Sequence, residues 1–462
     1  MIYFLLPKPF MFTYKNIECC TDIELPHPYI STSLSHYLND IKSKINHHEK
    51  EWNTYKKYTN PYEYIHTLIP NKKKCVSKYK PLSRSYFKMV EILTTFKLDS
   101  STPTYSKNFI RKVDSPKSYH RGSESNLLLY KTHNPVKICR DEKVVTDMDC
   151  IDCIKKTKQC PIKTFHIAEG PGGFIEAVVK MRNNPEDVYI GMTILDEKED
   201  YNIPAWKKSQ QFLKENPNVF IENGKDKTGN ILKLENLVYC KEKYASSIDL
   251  ITADGGFDFS LDFNNQEVDI TKLLFAQIAF ALCMQKKEGS FVLKIFDSFM
   301  LHTIDMLNIL ASFYEKVYIT KPQTSRYANS EKYIVCKKFL FQSCDDFYPY
   351  LYKAFETMTT SKKHILRFLN TNISNQFLTR LEEFNSIFGQ QQIENIYFTI
   401  SLIETKNKEE KIETLMKNNV QKCIHWCTKY EVPYHFIMNN SNIFLEAPTN
   451  IQYPGAVTSV KI

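Results

Sequence analysis

Between residues 164 and 336 the chain alternates short apolar runs with longer amphipathic stretches, and this pattern limits its fold more than any other feature. The runs are 164–169, 188–195, 247–254, 290–296, 316–320 and 332–336; helical periodicity fits 174–182, 268–287 and 300–314. Apolar runs of this length, bounded by turn residues, read as buried strands. Strand alternating with helix implies an α/β fold, a largely parallel sheet with helices on both faces. Ligands of such sheets sit at the carboxyl ends of the strands.

The glycines point to the same stretch. Nine of the twelve lie between residues 170 and 289. Glycine serves where backbone takes positive φ or lets another group come close. A ligand is therefore expected to meet the main chain there. The turn Glu169-Gly170-Pro171-Gly172-Gly173-Phe174 ends one strand and opens one helix. It is neither GxxxxGK[ST] nor GxGxxG, so a nucleoside triphosphate or dinucleotide fits poorly. A compact, non-phosphate group suits it better, and a plain strand–helix connection is the alternative.

Outside this core the text differs. The 462 residues suffice for two to three domains. Residues 1–82 form an N-terminal region of short mixed elements, with Pro7, Pro9, Pro26, Pro28 and Pro61 breaking any long helix. Residues 83–98 carry apolar positions at helical spacing, and the core domain runs from 83 to 340. Its polar segment 100–160 reads as an insertion or lid. From 345 to 462 the pattern is helical, over 350–369, 374–403 and 407–430.

Net charge is +9, and its distribution says more than its size. Asn71 to Val90 holds seven Lys/Arg and no acid, and Ser101 to Gly122 holds five against Asp114 alone. Such runs are either a solvated face or a contact for a polyanion; the tyrosines among them favour nucleic acid. No stretch of 18 apolar residues exists, and the N-terminus lacks the features of a signal peptide, so no membrane association is expected. Thirteen cysteines in irregular spacing fit a reducing, intracellular compartment, expected to be cytoplasmic. Cys139, Cys150, Cys153 and Cys160 are zinc candidates, although their 10- and 6-residue gaps match no standard spacing. Cys423, His425, Trp426 and Cys427 read as one buried helix face.

The glycine turn resembles motif I of the FtsJ-type ribose 2′-O-methyltransferases. So do, in order, Leu250 to Phe257 (LITADGGF), Gly289 to Asp297 (GSFVLKIFD) and Lys321 to Val335 (KPQTSRYANSEKYIV), with Arg84 to Lys88 upstream. The segment 191–193 (GMT) and the phrase SRxANSExYxVCK resemble the mRNA cap branch. The resemblance covers roughly 83–98 and 164–340. It implies a Rossmann-like core with a mostly parallel seven-stranded sheet, S-adenosylmethionine as cofactor, and capped mRNA as substrate, methylated on its first transcribed nucleotide. An rRNA or tRNA acceptor and a non-catalytic RNA-binding role are the alternatives; no KxDG motif of a guanylyltransferase is present. Other capping or transcription proteins are implied as partners. Lys/Asn/Ile/Tyr-rich usage resembles AT-rich genomes, including those of large DNA viruses.

Carried over by position, the family's catalytic tetrad is Lys88, Asp254, Lys294 and Glu331. In that assignment Lys294 takes the proton of the ribose 2′-hydroxyl, aided by Lys88, while Asp254 and Glu331 orient the two lysines. Implied cofactor contacts are Glu169, Gly170, Pro171, Gly172, Gly173, Phe174, Thr193, Asp226 and Asp254. Two departures from the family pattern stand out. His166 occupies a motif I position where many members carry Asp, and Thr193 replaces the acid after the second strand unless Asp196 takes its part.

Overall fold

A computed structural model describes residues 1–9, 12–98, 160–195, 205–256 and 265–435. The strands are β1 (Tyr3–Leu5), β2 (Ile17–Asp22), β3 (Lys163–Ile167), β4 (Val188–Met192), β5 (Val219–Ile221), β6 (Ile248–Ala253), β7 (Gln285–Ile295), β8 (Tyr314–Thr320), β9 (Lys332–Phe339) and β10 (His364–Leu369). The helices are α1 (Thr32–Lys44), α2 (Glu49–Thr59), α3 (Ser85–Phe96), α4 (Gly173–Arg182), α5 (Gln210–Glu215), α6 (Leu234–Tyr244), α7 (Gln266–Asp269), α8 (Thr271–Met284), α9 (Leu301–Phe313), α10 (Tyr348–Thr360), α11 (Asn375–Glu404) and α12 (Glu409–Lys429).

The main sheet runs β1-β8-β9-β7-β6-β3-β4-β5. The block β5, β4, β3, β6, β7 is parallel throughout, whereas β9, β8 and β1 add antiparallel. This is the α/β sheet implied by the alternation, with an eighth strand beyond the expected seven. That strand comes from the N-terminal region, Tyr3 pairing with Thr320 and Leu5 with Tyr318. Burial follows the two-residue period of a strand. Phe291 and Leu293 face the layer of α6, α8 and α9, while Val292 faces the layer of α3 and α4; Ile334 and Cys336 divide from Tyr333 and Val335 in the same way. Helix α8 is apolar on every side, and all but one of its residues are buried, as a helix clamped between sheet and outer helices must be.

Two sequence expectations change. The stretch 350–369 is not one helix: α10 stops at Thr360, and His364–Leu369 forms β10, antiparallel to β2. Ser361, Lys362 and Lys363 break the apolar period. Asp305 on α9 then holds the strand, accepting from the backbone of Phe368 and Leu369 at 2.9 and 3.2 Å and from Arg367. The prolines near the N-terminus leave room for short helices, and α1 and α2, of 13 and 11 residues, fit between Pro28 and Pro61. On α12, Cys423, Trp426 and Cys427 are buried as expected, whereas His425 is exposed. Cys139, Cys150 and Cys153 lie outside the described residues with the rest of 99–159; Cys160 is exposed, and among the described residues no His, Cys, Asp or Glu group could hold a metal ion. No helix among the described residues is long and apolar enough to cross a membrane.

Candidate active site

Sheet order alone brings three tetrad positions together. Strands β6, β7 and β9 are consecutive neighbours, Ala253 pairs with Leu293, and Lys294 pairs with Tyr333. Asp254 therefore leaves the end of β6 beside Lys294, and Glu331 enters β9 beside the same lysine. Helix α3 packs over the sheet through Phe87, Val90 and Leu93 and supplies Lys88 from its first turns.

The four side chains form two ion pairs. Lys88 Nζ sits 2.7 and 2.8 Å from the two carboxylate oxygens of Glu331. Lys294 Nζ lies 3.0 Å from Asp254 Oδ1 and donates to the Asp254 carbonyl at 2.6 Å. The Tyr333 hydroxyl bridges the pairs, 3.3 Å from both Asp254 Oδ1 and Glu331 Oε1, and Ser325 donates to Glu331 at 2.9 Å. Burial pushes the Glu331 carboxyl up, but Lys88 and Lys294 outweigh it and hold the group well below the usual carboxylate range. Burial pulls Lys88 down against the pull of Glu331. Gly256 keeps the face of Lys294 open: a Cβ there would lie 3.2 Å from Nζ.

Three further groups fix this centre. Lys321, buried and pulled down to about 7 by that burial, donates to the carbonyls of Asn329 and Glu331 at 2.5 and 2.8 Å. Glu91 on α3, fully buried, accepts from Gln323 N, Thr324 N and Thr324 Oγ1 at 2.8, 2.8 and 2.6 Å. Glu63, whose carboxyl is held low, against burial, by Arg326 and Arg84, takes a two-point grip from Arg326 at 2.9 and 2.5 Å. All three hold the segment 321–331 that presents Glu331. Tyr333 had a sequence signal, since two residues after Glu331 on a strand means the same face. Glu63 and Glu91 had none, because their partners lie more than 230 residues away.

The implied cofactor residues fall into two groups. The turn 169–173 lies at the end of β3, with Gly172 at φ 104°. Its glycines are needed by protein as much as by any ligand. A Cβ at Gly170 would meet the Ala205 carbonyl at 2.6 Å, and one at Gly191 or Gly172 would press on the Trp206 ring. Gly173 is closed in by Ser83 and Ser85. Ser209 donates to the Pro171 carbonyl at 2.5 Å. Phe174 turns its ring into the core against Tyr333, 5.8 Å between centroids, leaving only its backbone for a ligand. Glu169 also points inward: Oε1 accepts from Thr252 and Oε2 from Ile175 N at 3.2 Å. His166 joins this chain through Thr252 at 2.7 Å. It thus stands where an acid was expected and steadies Glu169 instead.

The second group lies at the ends of β4 and β5. Asp226 accepts from Thr228 N and Oγ1 and from Asn236 Nδ2, which keep its carboxyl low against the effect of burial. The Thr193 carbonyl packs on Gly229, so the loops after β4 and β5 lie against each other. Asp196 lies outside the described residues. Asn223 Oδ1 in the loop after β5 is buried with no partner among the described residues, an acceptor that an adenine amino group would satisfy. Asn223 is thus a polar group of the implied cofactor region left free to meet a ligand.

Residues 148–339 match the FtsJ-like methyltransferase family. The cap-specific mRNA (nucleoside-2′-O-)-methyltransferase 2 of Pongo abelii is 29% identical over 286 residues, covering 60% of this chain and 36% of that protein. The Danio rerio protein of that name is 25% identical over 413 residues, 88% of this chain and 47% of its own. Cap-specific mRNA (nucleoside-2′-O-)-methyltransferase 1 of Mus musculus is 34% identical over 203 residues, 42% of this chain and 24% of its own. The chain spans less than half the length of these relatives.

Proposed function

We propose, from the FtsJ-like methyltransferase domain this chain carries, that it is an S-adenosylmethionine-dependent RNA ribose 2′-O-methyltransferase acting on the first transcribed nucleotide of capped mRNA. The cofactor supplies an electrophilic methyl group on a positive sulfonium. Glu169 to Gly173, Asn223 and the Asp226 loop are the residues that would hold it.

One observation carries the chemistry. A neutral lysine amine has two N–H donors and one lone pair. Both donors of Lys294 find acceptors in Asp254, one on the carboxylate and one on the carbonyl. When Lys294 gives up the proton of its ion pair, the two bonds to Asp254 would leave the lone pair for the open side next to Gly256, where a ribose hydroxyl can give up its proton. Lys88, tied to both oxygens of Glu331, supplies a fixed positive charge beside it. Such a displacement asks mainly for positioning and proton removal, and both are met by groups locked through second partners. Because the relatives include one named inactive, likeness alone would not decide activity; the intact tetrad favours an enzyme.

RNA as the partner is supported by Lys72, Lys73, Lys74, Lys78 and Lys80, all exposed and leading along the chain toward Arg84 and Lys88. The test is transfer of labelled methyl from S-adenosylmethionine to short capped and uncapped RNAs, followed by nuclease mapping. Label on the first ribose of capped RNA is expected. Label only on uncapped RNA, or on a base, rejects the cap assignment.

A further inference from the structure

A cavity of about 90 Å³ opens beside the tetrad. It adjoins the proposed proton acceptor through Phe296, whose ring centre is 5.8 Å from Lys294 Nζ. Its remaining walls include Lys42 of α1, Trp52 of α2 and Gln392 of α11, together with Gln266 and Asn329. Of the contributing helices, α1, α2 and α11 lie outside the residues matched to the family, and α7, which carries Gln266, lies inside them.

The hydrogen-bonding capacity of these walls is only half used. Gln266 Oε1 accepts from Ser330 at 2.7 Å, and its NH₂ has no partner among the described residues. Gln392 Nε2 donates to the Ala328 carbonyl at 3.0 Å, and its oxygen has none. The side-chain amide of Asn329 likewise makes no bond among the described residues, although its carbonyl serves Lys321. Buried amides ordinarily satisfy both ends, and Gln266 and Gln392 are only 8% and 3% exposed. Unspent amide donors and acceptors beside an aromatic side chain, here Trp52, are what reads the edge of a nucleobase and stacks on its face.

Charge narrows the ligand further. Lys42 and Lys332 both lie 3.1 Å from Asp297, so two cations share one carboxylate. Glu267 is pushed up to about 7 by burial and by Asp297. Two lysines on a single carboxylate beside the cavity disfavour a cationic base such as N7-methylguanine.

We propose that this cavity receives an uncharged nucleobase of the RNA, at or beside the nucleotide whose ribose is methylated, so that turnover depends on base identity there. This rests on the reading of the chain as an RNA ribose methyltransferase. The test uses the full chain saturated with S-adenosylhomocysteine and labelled short RNAs carrying each of the four bases at the first and second positions. Binding is read by fluorescence anisotropy, and methyl transfer is measured on the same RNAs. The native protein is expected to separate the best from the worst base by about tenfold. Gln392→Met, which keeps the volume, should bring that ratio close to one while unfolding at nearly the native temperature. Trp52→Leu should do so with a lower melting temperature, because its ring is buried in the core. Trp52→Phe, which keeps a ring, should retain most of it. Equal handling of all four bases by the native chain overturns the proposal, as does a preference untouched by Gln392→Met and Trp52→Leu. So does a loss confined to RNA bearing an N7-methylated cap, which would make the cavity a cap pocket. Base-dependent binding that these variants abolish, with no transfer to any RNA, keeps the pocket and rejects the methyltransferase reading.

Discussion

Replacing Lys294 by Met and, separately, by Arg tests the proposed proton acceptor. Met removes the amine but keeps the length of the side chain. Arg keeps a positive charge and can still donate to Asp254, yet it does not deprotonate in a protein. If Lys294 takes the ribose proton, both variants lose the same contribution, about 10²- to 10⁴-fold in kcat, or roughly 3–5 kcal/mol of barrier. Stability should change far less. Lys294 and Asp254 are 13% and 15% exposed at the side chain, and Asp254 keeps the Tyr333 hydroxyl at 3.3 Å after the lysine is gone. A loss of about 1–2 kcal/mol follows for Met, read as a few degrees of melting temperature. The glycine turn makes no hydrogen bond to Lys294, so S-adenosylhomocysteine affinity, measured by calorimetry, should stay within about threefold. An Arg variant within tenfold of native turnover would refute the reasoning, because the lysine would then be acting through charge alone.

Other positions give independent checks. Asp297→Asn leaves Lys42 and Lys332 buried without their carboxylate and should destabilise by about 3–5 kcal/mol in urea titration. In the native chain the Asp297 carboxyl, although burial raises it, is drawn down to about 2 by Lys42 and Lys332 from an ordinary 3.8. The unfolded state binds its proton first, so stability is present above about pH 4 and fades as pH falls toward 2; Asp297→Asn should flatten that acid limb. Glu91→Gln keeps the shape but weakens three bonds to the 323–324 backbone and side chain, and should cost about 1–3 kcal/mol and lower kcat more than it raises KM for the cofactor. Unchanged kcat there would mean that the loop holds Glu331 without Glu91. Gly191→Ala should press on Trp206, cost about 1–3 kcal/mol and weaken S-adenosylhomocysteine binding. Trp206→Leu should recover part of that loss in a double-mutant cycle, and strict additivity would show that the two do not touch.

The chain's own order of residues determined the parallel core and which side chains fall at its strand ends. Apolar runs of strand length alternating with helical text leave few alternatives to a parallel sheet. Once the strands are placed, Asp254, Lys294 and Glu331 fall at their termini by local position. The choice of these residues and of Lys88 as a tetrad comes from the family resemblance; the periodicity of 83–98 says only that Lys88 lies on an amphipathic helix. Such placements are short-range facts, legible because burial on both faces stamps period and length into the text.

What the text could not carry is anything that depends on a partner hundreds of residues away. The three-residue strand at Tyr3 and the pairing of β2 with β10 are too short to show themselves without the edge they complete. The glycines looked like room for a ligand, and the structure shows them admitting Ala205, Trp206, Ser83 and Ser85 as well. Glu63, Glu91 and Lys321 read as ordinary charges until the segment 321–331 folds against them. Only the tertiary structure decided which charges became buried and paired, because the cost of burying a charge is met by neighbours that sequence distance hides.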